Sequence, residues 1–215
     1  MREAFEGQLS LLHKELTEMG SQCEQIISLA SQALTYWDQE IGKQVSQVGG
    51  AIDEKERTIE AICMKLLLRQ QPVAKDLRAV SAALKMITDM ERIGDQAEDI
   101  VDLVPKMSKA AGEDAAVLNQ MAEAAKNMVT EAVDAYVKQD LTLARKVMGD
   151  DDIVDDFFCA MKSAIIGLIA ANAGDGEYAL DLLMIAKYFE RIGDHCTNIA
   201  EWVEFSLTGI HRSCQ

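Results

Sequence analysis

Proline is almost missing from this 215-residue chain; it stands only at positions 72 and 105. Long stretches are therefore free of the residue that breaks helices. Aromatic residues make up 5% of the chain, and no segment alternates β-branched with polar residues as a half-buried strand would. Bases are outnumbered, 21 Lys and Arg against 36 Asp and Glu, giving a formal net charge of −15. That charge repels phosphate backbones, so no nucleic acid is expected as a partner, whereas divalent cations and basic protein surfaces are attracted. The longest apolar run, Ala164 to Ala171, is well short of the roughly 20 residues a bilayer demands. With no signal peptide at the start, a cytoplasmic protein is expected, touching membranes only through partners. The five cysteines are scattered without a CxxC pair and read as reduced thiols.

Catalytic motifs are also scarce. No Gly-x-Ser-x-Gly elbow, phosphate loop or Cys–His arrangement occurs. A ferritin-like di-metal centre would need inward Glu-x-x-His pairs, and the histidines are only His13, His195 and His211. His195 reads as a surface or interhelical residue.

Helix formers and helix breaks dominate what is present. The first helix is expected over about 3–37, continuing towards Val45, with Gly49-Gly50 ending that stretch. A second runs from Ile52 to Gln71-Pro72, and a third from Pro72 to about Ser108. Residues 110–113 read as a linker. A fourth helix covers 114–137, and a fifth, capped by Asp140, runs to about Asn172. After the Gly174-Asp175-Gly176 turn the last helix ends near Leu207. The expected fold is all-α: two tandem pseudo-symmetric three-helix bundles, six helices in all, divided as 1–109 and 110–215.

A repeat supports that division. Glu-Arg-Ile-Gly-Asp occurs at 91–95 and again at 190–194. With an offset of 99, Leu84 falls on Leu183, Gly94 on Gly193 and Ile100 on Ile199. On a helical projection the third helix has a core stripe of Ala83, Met86, Met90, Ile93, Ala97, Ile100 and Val104. A second line starts greasy at Leu77, Val80, Leu84 and Ile87, then turns acidic at Glu91, Asp95, Glu98, Asp99 and Asp102. The greasy part either packs a neighbouring helix or docks a partner. The last helix repeats the scheme, with Leu182, Ile185, Phe189, Ile192, Cys196, Ile199 and Val203 inward and Glu190, Asp194, Asn198 and Glu201 outward. On the second helix Asp53, Glu56 and Glu60 share a face, while Ile52, Ile59, Ile62 and Leu66 form its core stripe. Clustered carboxylates without thiolate suit iron, manganese, magnesium or calcium, or else form a solvated face bridged to Arg92 and Arg191. Glycine inside a helix costs about 0.5–1 kcal/mol, so Gly94 and Gly193 imply close approach of a backbone or ligand.

These residues resemble the PhoU family of bacterial phosphate-uptake regulators. Gln71-Pro72-Val73-Ala74-Lys75-Asp76-Leu77-Arg78 is similar to that family's turn and helix start, and Asp89 to Asp95 and Phe189 to Asp194 to its signature. Asn198-Ile199-Ala200-Glu201 and Thr208-Gly209 are similar to its ending. The resemblance implies a multinuclear metal cluster of iron or another hard divalent cation such as Mn, Mg or Ca, with Zn taking its place in crystals. It implies a first site of Asp53, Glu56, Glu91, Asp95 and Asp99, and a second of Asp152, Asp155, Glu190, Asp194 and Asn198. The chain departs from the pattern at Gly50, Phe158 and Lys162. By the same resemblance the protein is expected to be a non-enzymatic adaptor. It would couple the ATPase subunit of the phosphate ABC transporter to a sensor histidine kinase, act as a homodimer, and repress the phosphate-starvation response when phosphate is plentiful. The alternatives are a carboxylate-bridged metal-dependent enzyme or a plain helical scaffold.

Overall fold

The computed structural model describes residues 2–70, 74–108, 111–112 and 114–210. Among them lie six α-helices and no strand: α1 (Arg2–Thr35), α2 (Gln39–Gln70), α3 (Lys75–Leu103), α4 (Asp114–Lys138), α5 (Leu141–Ala171) and α6 (Gly176–Thr208). Short 3-10 turns follow α3 and α5. The helices form two three-helix bundles of matching design. Pro72 and residues 109, 110 and 113, where the third-helix start and the division between halves are expected, lie outside the described residues.

Local chemistry sets the helix ends. Asp38 Oδ1 accepts from Ile41 N at 2.8 Å, so α1 stops at Thr35 and α2 begins at Gln39. This corrects the expected break at Gly49-Gly50, which lies inside α2. A Cβ at Gly49 would come within 2.0 Å of Glu98 Oε1, so this glycine lets a carboxylate of α3 lie against the helix. The third helix also ends earlier than expected, at Leu103, with Pro105 placed in the 3-10 turn that follows. Asp140 caps α5 as expected, accepting from Thr142 N and Leu143 N at 2.9 and 3.0 Å. Gly209, with φ 78°, closes α6 in the left-handed region that favours glycine.

Packing brings the bundles together. Helices α3 and α6 run antiparallel at the centre: Arg78 reaches the Ser206 carbonyl, Asp89 meets His195, and Asp99 lies near Arg191. Helices α1 and α4 are antiparallel too, with Ser31 donating to Asn119 and His13 edge-on to Tyr136. The outer helices α2 and α5 each cover one flank. Buried side chains of both halves make one continuous core. The core stripe of α6 is completely buried, as is that of α3 up to Ile100. Two stripe members are only half-buried: Val104, in the 3-10 turn, and Ile62, whose core place is taken by Cys63. Val80 and Ile87 pack inward, Leu84 is half-buried and Leu77 is exposed.

Buried positions of the two halves correspond in register. A shift of 102 carries Leu16, Met19 and Ile27 of α1 onto Leu118, Met121 and Val129 of α4, all of them buried. The same shift carries Ile52 onto Val154. A Cβ on Gly94 would sit 3.3 Å from Ile52, and one on Gly193 would sit 3.4 Å from Val154. Both glycines therefore admit side chains of the outer helix, which corrects the expected approach of a backbone or ligand.

Candidate functional site: two acidic faces

The first acidic face forms where α2 crosses α3. Asp53 and Glu56 come from α2, Glu91, Asp95 and Glu98 from α3, and all five are partly buried. Burial pushes the Glu91 carboxyl above its ordinary range, and Asp95, Glu56 and Asp53 push the same way against Arg92. Glu56 is raised by burial and then by Glu60 and Asp53. Glu98 is raised by burial and by Asp95, Asp53, Asp102 and Asp99. Asp99, exposed at the edge, is raised by burial, Asp95 and Asp102, with Arg191 of the other bundle opposing. Two arginines oppose this charge: Arg57 of α2 acts on Glu56, and Arg92 lies 2.9 Å from Asp95 and 3.4 Å from Glu91 on a side chain that is 54% exposed. The pentapeptide's own arginine thus bridges its own acids, and burial with mutual repulsion still holds Glu56, Glu91, Glu98 and Asp99 above their ordinary range.

The second face forms where α5 crosses α6, and its chemistry differs. Asp155, Glu190 and Asp194 share one field. Asp152 is exposed, and it is Asp151, one residue earlier, that turns towards α6. Burial pushes Asp151 up to about 6, with Asp194 and Asp155 adding to the rise and the Thr197 hydroxyl alongside opposing it. Asp194 is raised by burial and then by Glu190, against Lys187. Lys187 donates to Glu190, and its ammonium lies 5.5 Å from the centre of the Phe158 ring. Lys162, the added ammonium expected here from the sequence, is exposed. Asn198 turns away from these acids and donates to Asp89 of α3 at 3.1 Å. His195 Nδ1 meets the same Asp89 oxygen at 2.9 Å, which makes His195 an interhelical residue.

A PhoU domain family model matches residues 16–104 and again 118–203, once on each bundle. The chain belongs to the PhoU family. It is 32% identical to a phosphate-specific transport system accessory protein PhoU homolog of Clostridium acetobutylicum over 97% of this chain and 96% of the relative. A PhoU homolog of Zymomonas mobilis is 33% identical, covering 96% of this chain and 88% of the relative. The crystal structure of PhoU from Pseudomonas aeruginosa matches with a TM-score of 0.87 at 28% identity, over 96% of this chain and 100% of that one. The phosphate transport system regulatory protein PhoU from Streptococcus pneumoniae matches with a TM-score of 0.88 at 26% identity, over 96% of this chain and 98% of that one.

For a PhoU-family chain, the first face has the charge and the hard oxygen donors that a divalent cation prefers. It is not a finished coordination shell: among the described residues, no group of three or more His, Cys, Asp or Glu is arranged to hold an ion. Closing a shell would draw the carboxylates inward, and the ion would relieve the repulsion recorded in their raised proton affinities. Besides Asp151, two features escaped the sequence reading. Lys187 gives a weak signal, lying three residues before Glu190 and so one turn away. The approach of Glu98 to Gly49 gives none, because it depends on how α2 and α3 are aligned.

Proposed function

We propose that this protein is a regulatory adaptor of bacterial phosphate uptake. It couples the ATPase subunit of the phosphate ABC transporter to a sensor histidine kinase and holds the starvation response off when phosphate is plentiful. The observation that carries the reading is similarity along nearly the whole chain, in both repeats, to proteins named as accessory to phosphate-specific transport. The adaptor works by binding, without a chemical step, from the cytoplasmic side and as a homodimer. No helix among the described residues is long and apolar enough to cross a membrane.

Cation binding belongs to the first face in this reading. Asp53, Glu56, Glu91, Asp95 and Asp99 would hold iron or another hard divalent ion, while Asp155, Glu190 and Asp194 would hold one more weakly because Lys187 competes. The ion would supply positive charge that stiffens the α2–α3 contact. The adaptor role is tested by deleting the gene and following a starvation-gene reporter in phosphate-rich medium. The reporter is expected to stay on and to be silenced by the restored gene; normal repression in the deletion strain would overturn the proposal.

A further inference from the structure

Glu98 of α3 is absent from the donor set that the PhoU resemblance implies. Its side chain is partly buried and lies across α2 at Gly49, in space that any Cβ there would fill. Glu91 and Asp95 share Arg92, and Glu56 has Arg57 beside it. Glu98 has no such base. Among the described residues it makes no hydrogen bond and no ion pair, and the charges that act on it are Asp95, Asp53, Asp102 and Asp99. A carboxylate drawn out of water among other acids is costly unless something positive meets it.

Register brings it to the acids of the first face. Gly49 and Asp53 are four residues apart on α2, and Asp95 and Glu98 are three apart on α3, so each pair shares a helix face one turn apart. With Glu98 lying over Gly49, carboxylates of Asp53, Asp95 and Glu98 converge from two helices on one end of the face. Glu56 acts on Glu91 at the other end.

The second bundle makes the same grouping by another route. Asp155 and Asp194 stand where the first bundle has Asp53 and Asp95. Asp151 stands at the place of Gly49, and Thr197 at that of Glu98. Asp151 lies against Gly193, its Oδ1 3.1 Å from where a Cβ would be, and shares its field with Asp155 and Asp194. The third carboxylate thus comes from the outer helix in one bundle and from the central helix in the other. In both cases a glycine on the facing helix makes room for it.

We propose that Glu98 is a cation ligand of the first face, taking one hard divalent ion together with Asp53 and Asp95, and that Gly49 serves to admit its carboxylate. Three carboxylate donors suit such an ion, whose charge meets the one acid of this face that lacks a base. The proposal rests on the reading that the first face binds a cation, and it adds a ligand and the notch that holds it.

The test titrates the full chain with Mn²⁺ and follows the loss of the free-ion EPR signal. Glu98→Gln is expected to weaken binding by about tenfold or more. Gly49→Ala, whose methyl group displaces the carboxylate, should weaken it in the same direction. Asp102→Asn removes the same charge from an exposed position one turn further along α3, and should change the affinity by less than about threefold in about 0.15 M salt. Gly49→Asp combined with Glu98→Thr moves the carboxylate to the helix that carries it in the second bundle, and should recover the parent affinity to within about threefold. An affinity that Glu98→Gln lowers no more than Asp102→Asn does would overturn the proposal, while a loss on Glu91→Gln would leave the cation reading standing. A wild-type chain that takes up no Mn²⁺ would remove that reading and the proposal together.

Discussion

The two copies of Glu-Arg-Ile-Gly-Asp fold into the same place and meet different company. At the first, carboxylates of α2 and α3 crowd together, with the exposed Arg92 as their central cation. At the second, Lys187 bonds to Glu190 above the Phe158 ring, and fewer acids take part. Each helix pair nonetheless receives a carboxylate at the same level from opposite sides. Glu98 of α3 lies over Gly49 of α2, while Asp151, at the α2 position of Gly49, reaches towards Gly193 and Thr197, the latter at the α3 position of Glu98. A repeat can therefore keep a charge in space while moving it between helices, and it can keep a motif while changing its electrostatics.

The largest expected effect tests whether the halves are equivalent where they should be, in the core. Phe189 and Met90 occupy matching positions and both are fully buried. Phe189→Ala is expected to cost about 4 kcal/mol and Met90→Ala about 3 kcal/mol by denaturant unfolding. A near-zero cost at either position would break the correspondence of the bundles.

Cations should separate the faces next. A divalent ion such as Mn²⁺ at about a hundred times its Kd is expected to stabilise the protein by about 2.7 kcal/mol, read as a rise in Tm. Glu91→Gln should remove most of that rise and Asp194→Asn little of it. Lys187→Thr, which installs the residue found at the matching position 88, should add a cation response to the second face. A rise that survives Glu91→Gln and vanishes with Asp194→Asn would reverse the comparison.

Protons should act on the second face more weakly. Asp151 binds its proton more tightly in the fold than in the unfolded chain, where its ordinary value is 3.8. Stability is therefore lost as pH rises from 3.8 to about 6, and the penalty is complete above that window. Asp151→Asn is expected to stabilise the protein at neutral pH by about 1 kcal/mol after solvent screening, with no gain near pH 3. A gain that is the same at both pH values would show that the carboxyl is not the cause. The smallest effect belongs to Gly94→Ala, whose new methyl meets Ile52 at 3.3 Å. Helix propensity gained and packing lost should cancel to within about 0.5 kcal/mol.

Much of the fold was legible because it is local. Asp140 capping α5, Gly209 closing α6 and the core stripe of α6 each depend on residues within a turn or two of one another. The Gly49-Gly50 pair misled for the opposite reason: the need for Gly49 lies on α3, 49 residues away at Glu98. At the candidate site, the acidic lines on α3 and α6 were readable from periodicity, while Asp151 in place of Asp152 was not. A step of one residue turns a side chain by about 100°, and only the crossing of α5 over α6 selects which of the two faces inward.

The sequence by itself determined six helices, their apolar stripes, the doubled pentapeptide and a strongly negative surface, because periodicity and charge are carried by neighbours along the chain. Tertiary structure alone decided which carboxylates share a field, that Lys187 occupies the second face, and that Lys55 bridges α2 to α1 while Lys146 bridges α5 to α4. Those outcomes depend on register between helices far apart in sequence, and Coulomb forces and burial act on distance in space.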